Sequence, residues 1–193
     1  MQPARLDLRV IQRATLRKPL LLMQPHYVYL PITAIQQTAP LRLTVPAHGM
    51  PDGWPCWLEG TAGWAQLNRD KLREPFRIGA VVDANTIEFN ALNGKKQSAS
   101  GGDLVYQPPV DLGGCTGELR ILFAQGVSLT LSTANGGLVI EGPGRLLLVI
   151  TAAQVAGLTS KTGTYDLTLT MSNGDPLRWA EGVVSLSLEL SND

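Results

Sequence analysis

The stretch YDLTLTMSNGDPLRWAEGVVSLSLEL, residues 165–190, decides the fold class. Tyr165, Leu167, Leu169 and Met171 alternate with Asp166, Thr168, Thr170 and Ser172, and Val184, Leu186, Leu188 and Leu190 alternate with Ser185, Ser187 and Glu189. Successive side chains on a strand point to opposite faces, so each run predicts a half-buried strand. Ser172-Asn173-Gly174-Asp175 lies between them and predicts a hairpin turn, because Asn-Gly accepts the positive φ angles of tight hairpins.

The same period of two recurs outward from this stretch. It appears in Leu6, Leu8 and Val10, in Leu41, Leu43 and Val45, and in Val127, Leu129 and Leu131. Ala134-Asn135-Gly136-Gly137 is a second hairpin candidate, and Pro143-Gly144 breaks the chain before the apolar run from Arg145 to Ile150. One short helix is expected from Thr151 to Leu158, capped by Thr151 and ended by Gly157. Many short strands with turn signals between them predict an all-β sandwich or small barrel.

The middle of the chain has a different character. It holds Trp54, Trp57 and Trp64, three of the four tryptophans, and short predicted strands at residues 32–37, 41–45, 55–59, 76–82 and 86–89. A glycine- and lysine-rich stretch, residues 94–102, follows it, and the sandwich pattern resumes after Pro108-Pro109. The reading is a β-sandwich from residues 1–30 and 108–193, with a small β-barrel inserted as residues 31–107.

Composition excludes several classes. The 193 residues carry 16 Lys+Arg and 16 Asp+Glu, a formal net charge of zero, whereas a nucleic-acid binder needs a basic surface. The longest apolar run near the N-terminus, Leu20 to Met23, is far short of the roughly 20 residues of a membrane span, and no signal-peptide core follows the early arginines. Synthesis in the cytoplasm with no nucleic-acid or membrane partner is therefore expected. Cys56 and Cys115 make no disulfide framework, and with His26 and His48 they show no zinc spacing. The aspartates sit singly in turn sequences without calcium-loop spacing, so no metal and no cofactor are expected. His48, in LTVPAHGMPDG, has no nucleophile or carboxylate at a recognisable spacing and reads as a turn residue between two strands. No enzymatic constellation stands out.

Two resemblances add to this reading. Ala47-His48-Gly49-Met50, Asp52-Gly53, Leu58-Glu59-Gly60, Leu67-Asn68 and Ala84-Asn85-Thr86-Ile87-Glu88-Phe89 resemble, in order, a small β-barrel module of tailed-phage structural proteins. That module is similar to the first catalytic-cysteine half-domain of ubiquitin-activating enzymes, a half-domain without transfer chemistry. The flanks, Leu6 to Leu16, Pro109 to Ile121, Ile150 to Gln154, Gly163 to Leu167 and Glu181 to Ser185, resemble small tail or baseplate proteins with an immunoglobulin-like sandwich. Arg13 stands where that pattern has glycine, and Cys115 where it has tyrosine.

The resemblances imply a structural subunit of a tailed-phage virion, in the tail, baseplate or fibre-attachment region. It would act by docking on other virion proteins as one of many copies in a symmetric assembly. A capsid decoration or head–tail connector, and a carbohydrate-binding module contacting a host glycan, are the alternatives. Candidate interface residues are Arg5, Arg9, Arg13 and Arg17, which share parity and would line one face of a strand, and Trp54, Trp57 and Trp64 as core, contact or sugar-stacking groups. Residues 184–190 are expected to offer an exposed strand edge to a neighbouring chain.

Overall fold

The structure is a computed structural model that describes residues 2–123, 126 and 128–187. Val127, Leu188, Glu189 and Leu190, used in the strand patterns above, lie outside the described residues. The chain divides into two compact units, one from Met1–Leu22 and Val110–Asp193, the other from Met23–Pro109. In chain order the strands are β1 (Ala4–Arg5), β2 (Leu8–Ile11), β3 (Leu16–Leu21), β4 (Val28–Pro31), β5 (Ala34–Gln36), β6 (Leu41–Thr44), β7 (Trp54–Glu59) and β8 (Arg77–Asp83). They continue as β9 (Thr86–Phe89), β10 (Asp103–Tyr106), β11 (Thr116–Phe123), β12 (Ser128–Ser132), β13 (Leu138–Gly142), β14 (Arg145–Ile150), β15 (Thr162–Thr170) and β16 (Pro176–Ser187).

The first unit is a β-sandwich. Its larger sheet runs β1-β16-β15-β11-β12, with β2 also paired to β16, and its smaller sheet runs β13-β14-β3. The β15–β16 hairpin turns at Ser172 to Asp175 with Gly174 at φ 90°, and Asp175 accepts from Met171 N–H. Gly163, Tyr165, Leu167 and Leu169 of β15 face the core, as the alternation requires. They meet Leu119, Ile121 and Leu131 from their own sheet and Leu146, Leu148 and Ile150 from the facing sheet. Each fully buried leucine or isoleucine contributes about 1.5–3 kcal/mol relative to exposure. The helix α1 (Ala152–Ala156) has a capping box, Thr151 with Gln154, and ends at Gly157.

Three details of the sandwich differ from the sequence expectation. The turn at Ala134 to Gly137 does not close a hairpin, because β12 and β13 belong to different sheets. Asn135 bends the chain there instead, its Oδ1 accepting from Ser132 N–H and Gly137 N–H. Residues 184–187 are not a free edge, because β16 is paired on one side with β15 and on the other with β1 and β2. The first strand is also broken: β1 and β2 are separated at Leu6-Asp7, where Asp7 Oδ1 accepts from Val183 N–H and the Leu6 carbonyl accepts from the Tyr165 hydroxyl.

That hydroxyl supports a pH prediction. Burial, and then the nearby Asp7 carboxylate, push the Tyr165 pKa from 10.0 up to about 12. The raised value stabilises the fold fully below the unfolded pKa near 10 and loses that contribution as pH rises toward 12. Denaturant midpoints measured from pH 8 to 12 should fall more steeply for the native chain than for Tyr165→Phe. Parallel curves would show that this hydroxyl does not carry the effect.

The second unit is a seven-stranded sheet ordered β4-β10-β7-β8-β9-β6-β5. It begins at Met23 rather than at residue 31, because Val28–Pro31 pairs with Asp103–Tyr106 across the full length of both strands. The expected barrel is not closed: β4 and β5 end the sheet and do not pair with each other. The chain itself passes from one edge to the other through Ile32 and Thr33, whose N–H groups bond Gly102 and Thr44 carbonyls. The sheet therefore curls around a core of Trp54, Leu58, Leu67, Ile87, Phe89 and Leu104.

Candidate functional site

Strand β7 is buried along nearly all its length, although a sheet with one solvated face should alternate. Trp54, Cys56 and Leu58 point into the core. Trp57 points to the outer face, in one cross-strand row with Val105 and Tyr29. It is nevertheless only 7% exposed. The covering groups are Tyr27 and Phe76, whose rings pack edge-on against the indole at centroid distances of 5.9 and 6.2 Å. The segment from Asp70 to Phe76 is held over this row by the Trp57 indole N–H, which donates to the Glu74 carbonyl at 3.0 Å.

Lys71 completes the cover. Its Nζ pairs with Glu59 at 3.1 Å and lies 5.1 Å from the Tyr29 ring centroid and 5.7 Å from that of Tyr27. Contact with Tyr29, and then with Glu59, raises its pKa. Around this cluster Tyr29, Leu72, Phe76 and Ile78 are exposed, Leu72 at 79%. Beside it runs a groove of about 290 Å³ lined by Phe76, Ile78 and Phe89. Arg77 also lines the groove; its Nη2 donates to the Gln66 carbonyl at 2.9 Å, while its buried Nε has no partner. Exposed apolar groups gathered over an ordered aromatic base are the composition of a contact surface, where aromatic and arginine side chains carry most of the binding energy.

The sequence-predicted residues take separate places. Trp54 is fully buried, its indole N–H donating to the Gln107 carbonyl at 2.8 Å. Trp57 forms the base of the outer cluster, and Trp64 is half-buried against the core, its N–H donating to Gln66 Oε1. The three do not form one stacking platform. The arginines do not share one strand either. Arg5 lies on β1, Arg9 on β2, Arg13 in the following turn at φ 57°, and Arg17 on β3 in the other sheet. The turn at Gln12 to Ala14 carries the chain from one sheet to the other and breaks the parity. Arg13 holds a left-handed backbone at the position where the resembled pattern has glycine, the residue that adopts it without strain.

His48 is a turn residue. It is 3% exposed, its Nε2 lies 2.9 Å from the Asp83 carbonyl, and its Nδ1 accepts from Met50 N–H at 3.1 Å. Those contacts make it the Nε2–H tautomer. Tyr106 hydroxyl donates to the His48 carbonyl, and Ala47 and Gly49 flank it with φ of 49° and 59°. His48→Ala leaves a buried donor and acceptor without partners and should cost about 3 kcal/mol in chemical denaturation. A loss under half that size would mean water replaces the ring.

Cys56 is buried, and burial pushes its thiol up to about 12, so it is an inert core group. Among the described residues no three His, Cys, Asp or Glu side chains gather in one place, and no helix is long and apolar enough to cross a membrane. No protein-family model matches the chain. No curated protein matches it.

The sequence reading found Trp57 but missed Tyr27, Tyr29, Lys71, Leu72 and Phe76. Their signal was faint. Tyr27-Val28-Tyr29 has period two but falls within residues 1–30, the span expected of the sandwich, and residues 70–76 contain no regular strand or helix.

Proposed function

We propose that this protein is a structural subunit of a tailed-phage virion that works by docking on neighbouring proteins. The observation that carries the docking role is the exposed surface of Tyr29, Leu72, Phe76 and Ile78 over the packed Trp57 cluster. The virion assignment is supported by the order of the two resembled motif sets, which together span nearly the whole chain, and by a sandwich carrying an inserted β unit. Immunoglobulin-like sandwiches serve in tails and on capsids, so position in the particle is a separate question from fold.

The proposal places the chain in a symmetric assembly at the tail, baseplate or fibre base, made in the host cytoplasm and carried in the virion, with other structural proteins as partners. A cryo-electron-microscopy map of the intact particle tests it. Density for both β units in a ring on the tail supports the reading, and density on the capsid moves the protein to the decoration or connector class. Absence from the particle overturns the virion assignment. The glycan alternative now centres on Tyr29 and Phe76, whose rings are half-exposed, and not on Trp54. Glycan-array binding lost in Tyr29→Ala and Phe76→Ala would favour it over docking.

A further inference from the structure

Strands β8 and β9 pair along only part of their length. Ala80 stands opposite Glu88 and Val81 opposite Ile87. The same register would set Ile78 opposite Asn90, but pairing stops at Ala80. The cause lies in β9, which turns away after Phe89. Leu92 N–H donates to the Phe89 carbonyl, and the Leu92 carbonyl accepts from Leu41 N–H of β6. The opening this leaves in the sheet is the groove of about 290 Å³, with Phe76 and Ile78 on one wall and Phe89 and Leu92 on the other.

The backbone of Ile78 faces that opening. Directly opposed antiparallel residues either exchange both N–H···O bonds or exchange none. On its β7 side Ile78 stands opposite Pro55, which has no N–H, so this pair exchanges none. The N–H and C=O of Ile78 therefore point away from β7, toward β9. The alternation along the strand agrees, because Val81 N–H, three residues on, bonds Asp52 Oδ1 just before β7. Among the described residues neither backbone group of Ile78 meets a partner. A donor and an acceptor presented together by one strand residue are the complement of an extended backbone.

The charge at the groove narrows what such a backbone carries. Arg77 is the only charged residue that lines it. Its Nη2 is used on the Gln66 carbonyl, and its Nε has no partner. Arg69 adds a second positive charge close by, and its Nη1 donates to the Pro75 carbonyl rather than to an acid. Two carboxylates are near. Glu88, opposite Ala80, is paired with Arg42 at 2.7 Å, and Glu74 accepts from Asp70 N–H. Arg69 and Arg77 with Glu74 leave an excess of positive charge at this end of the groove. A guanidinium beside an apolar wall favours a carboxylate from outside.

We infer that this groove receives an extended segment of a partner protein, which pairs with Ile78 as an added strand, seats an apolar side chain against Phe76, Phe89 and Leu92, and brings a carboxylate to Arg77. Added strands take affinity from main-chain bonds and specificity from side-chain pockets. A groove of about 290 Å³ is at the small end of ligand pockets, so it holds a side chain of the segment and not a folded element. The inference deepens the docking reading and rests on it, but not on the virion.

Amide hydrogen exchange on the full chain tests the premise. The Ile78 amide should exchange freely while that of Arg77, bonded across to β7, is protected. An Ile78 amide already protected in the free chain overturns the inference, because the sheet would then be closed there. The probe for binding is a displayed library of random linear peptides selected on the full chain. Enriched peptides should carry both an apolar and an acidic residue, and the synthesised peptide should protect the Ile78 amide. N-methylation of one peptide residue, the one opposite Ile78, should weaken binding at least about tenfold, with its immediate neighbours tolerant. Arg77→Gln should weaken the acidic peptide at least about tenfold, and its amide counterpart by less than about twofold. Circular dichroism of the variant checks that the inserted unit is intact. Leu72→Asp, in the exposed cluster but outside the groove, separates the two readings. Peptides lost in Leu72→Asp yet indifferent to Arg77→Gln and to N-methylation keep the docking surface and overturn the added strand. Failure of any peptide to be enriched overturns the inference as well.

Discussion

Gly182→Ala should unseat the N-terminal strands from the sandwich. A Cβ at Gly182 would lie 2.2 Å from the Leu6 carbonyl oxygen and 2.8 Å from its carbon, both backbone atoms that cannot turn aside. Either β16 or the Leu6-Asp7 break must move. The break is held by Leu6 N–H to the Glu181 carbonyl, Asp7 Oδ1 from Val183 N–H, and the Tyr165 hydroxyl on the Leu6 carbonyl. Movement there strains all three and lifts Leu8 and Val10, both buried, from the core. The expected cost is about 3–5 kcal/mol, combining overpacking with lost burial. Hydrogen exchange should show β2 and the adjoining part of β16 losing protection together. A variant within about 1 kcal/mol of the native chain would mean the strand crosses Gly182 with more room than the structure gives it.

Trp54→Ala should be comparably costly, in the other unit. The indole is fully buried among Leu58, Leu104 and their neighbours, and its N–H holds the Gln107 carbonyl. Truncating a buried tryptophan removes its apolar contacts and leaves a cavity, at a cost of about 3–5 kcal/mol. Protection from hydrogen exchange should fall across β7, β8 and β10, while the sandwich strands β11 and β15 keep theirs. The consequence for function is direct. A ligand-binding loss in Trp54→Ala would report unfolding of the inserted unit, so Tyr29 and Phe76 are the informative positions for any surface role. Retained stability would contradict the burial of this ring.

Much of the architecture is local in origin and therefore readable from the chain. The alternation in β2, β6, β12, β15 and β16 states which residues face inward, because a strand has only two faces. The β15–β16 turn is dictated by Asn173-Gly174, and α1 by the Thr151–Gln154 box. The interruption by an inserted unit is visible as a change of composition. The all-β class and the sandwich follow from these signals.

Pairing between distant strands is not local. Nothing in Val28–Pro31 says that its partner is Asp103–Tyr106, so the inserted unit's true limits at Met23 and Pro109 appear only when the two are side by side. The parallel docking of β1 and β2 on β16 hides what the pattern offered as an edge. A turn at Gln12 to Ala14 scatters arginines that share parity in sequence. The candidate surface is the furthest from legible, because Tyr27, Tyr29, Trp57, Lys71 and Phe76 come from three separated segments. By itself the sequence determined the strictly alternating strands, their inward faces and the β15–β16 turn, since these depend on backbone geometry over a few residues. The tertiary structure alone decided which strands are neighbours, which edges are covered and which side chains meet on the outside, since these depend on long-range pairing and on loops that no periodicity describes.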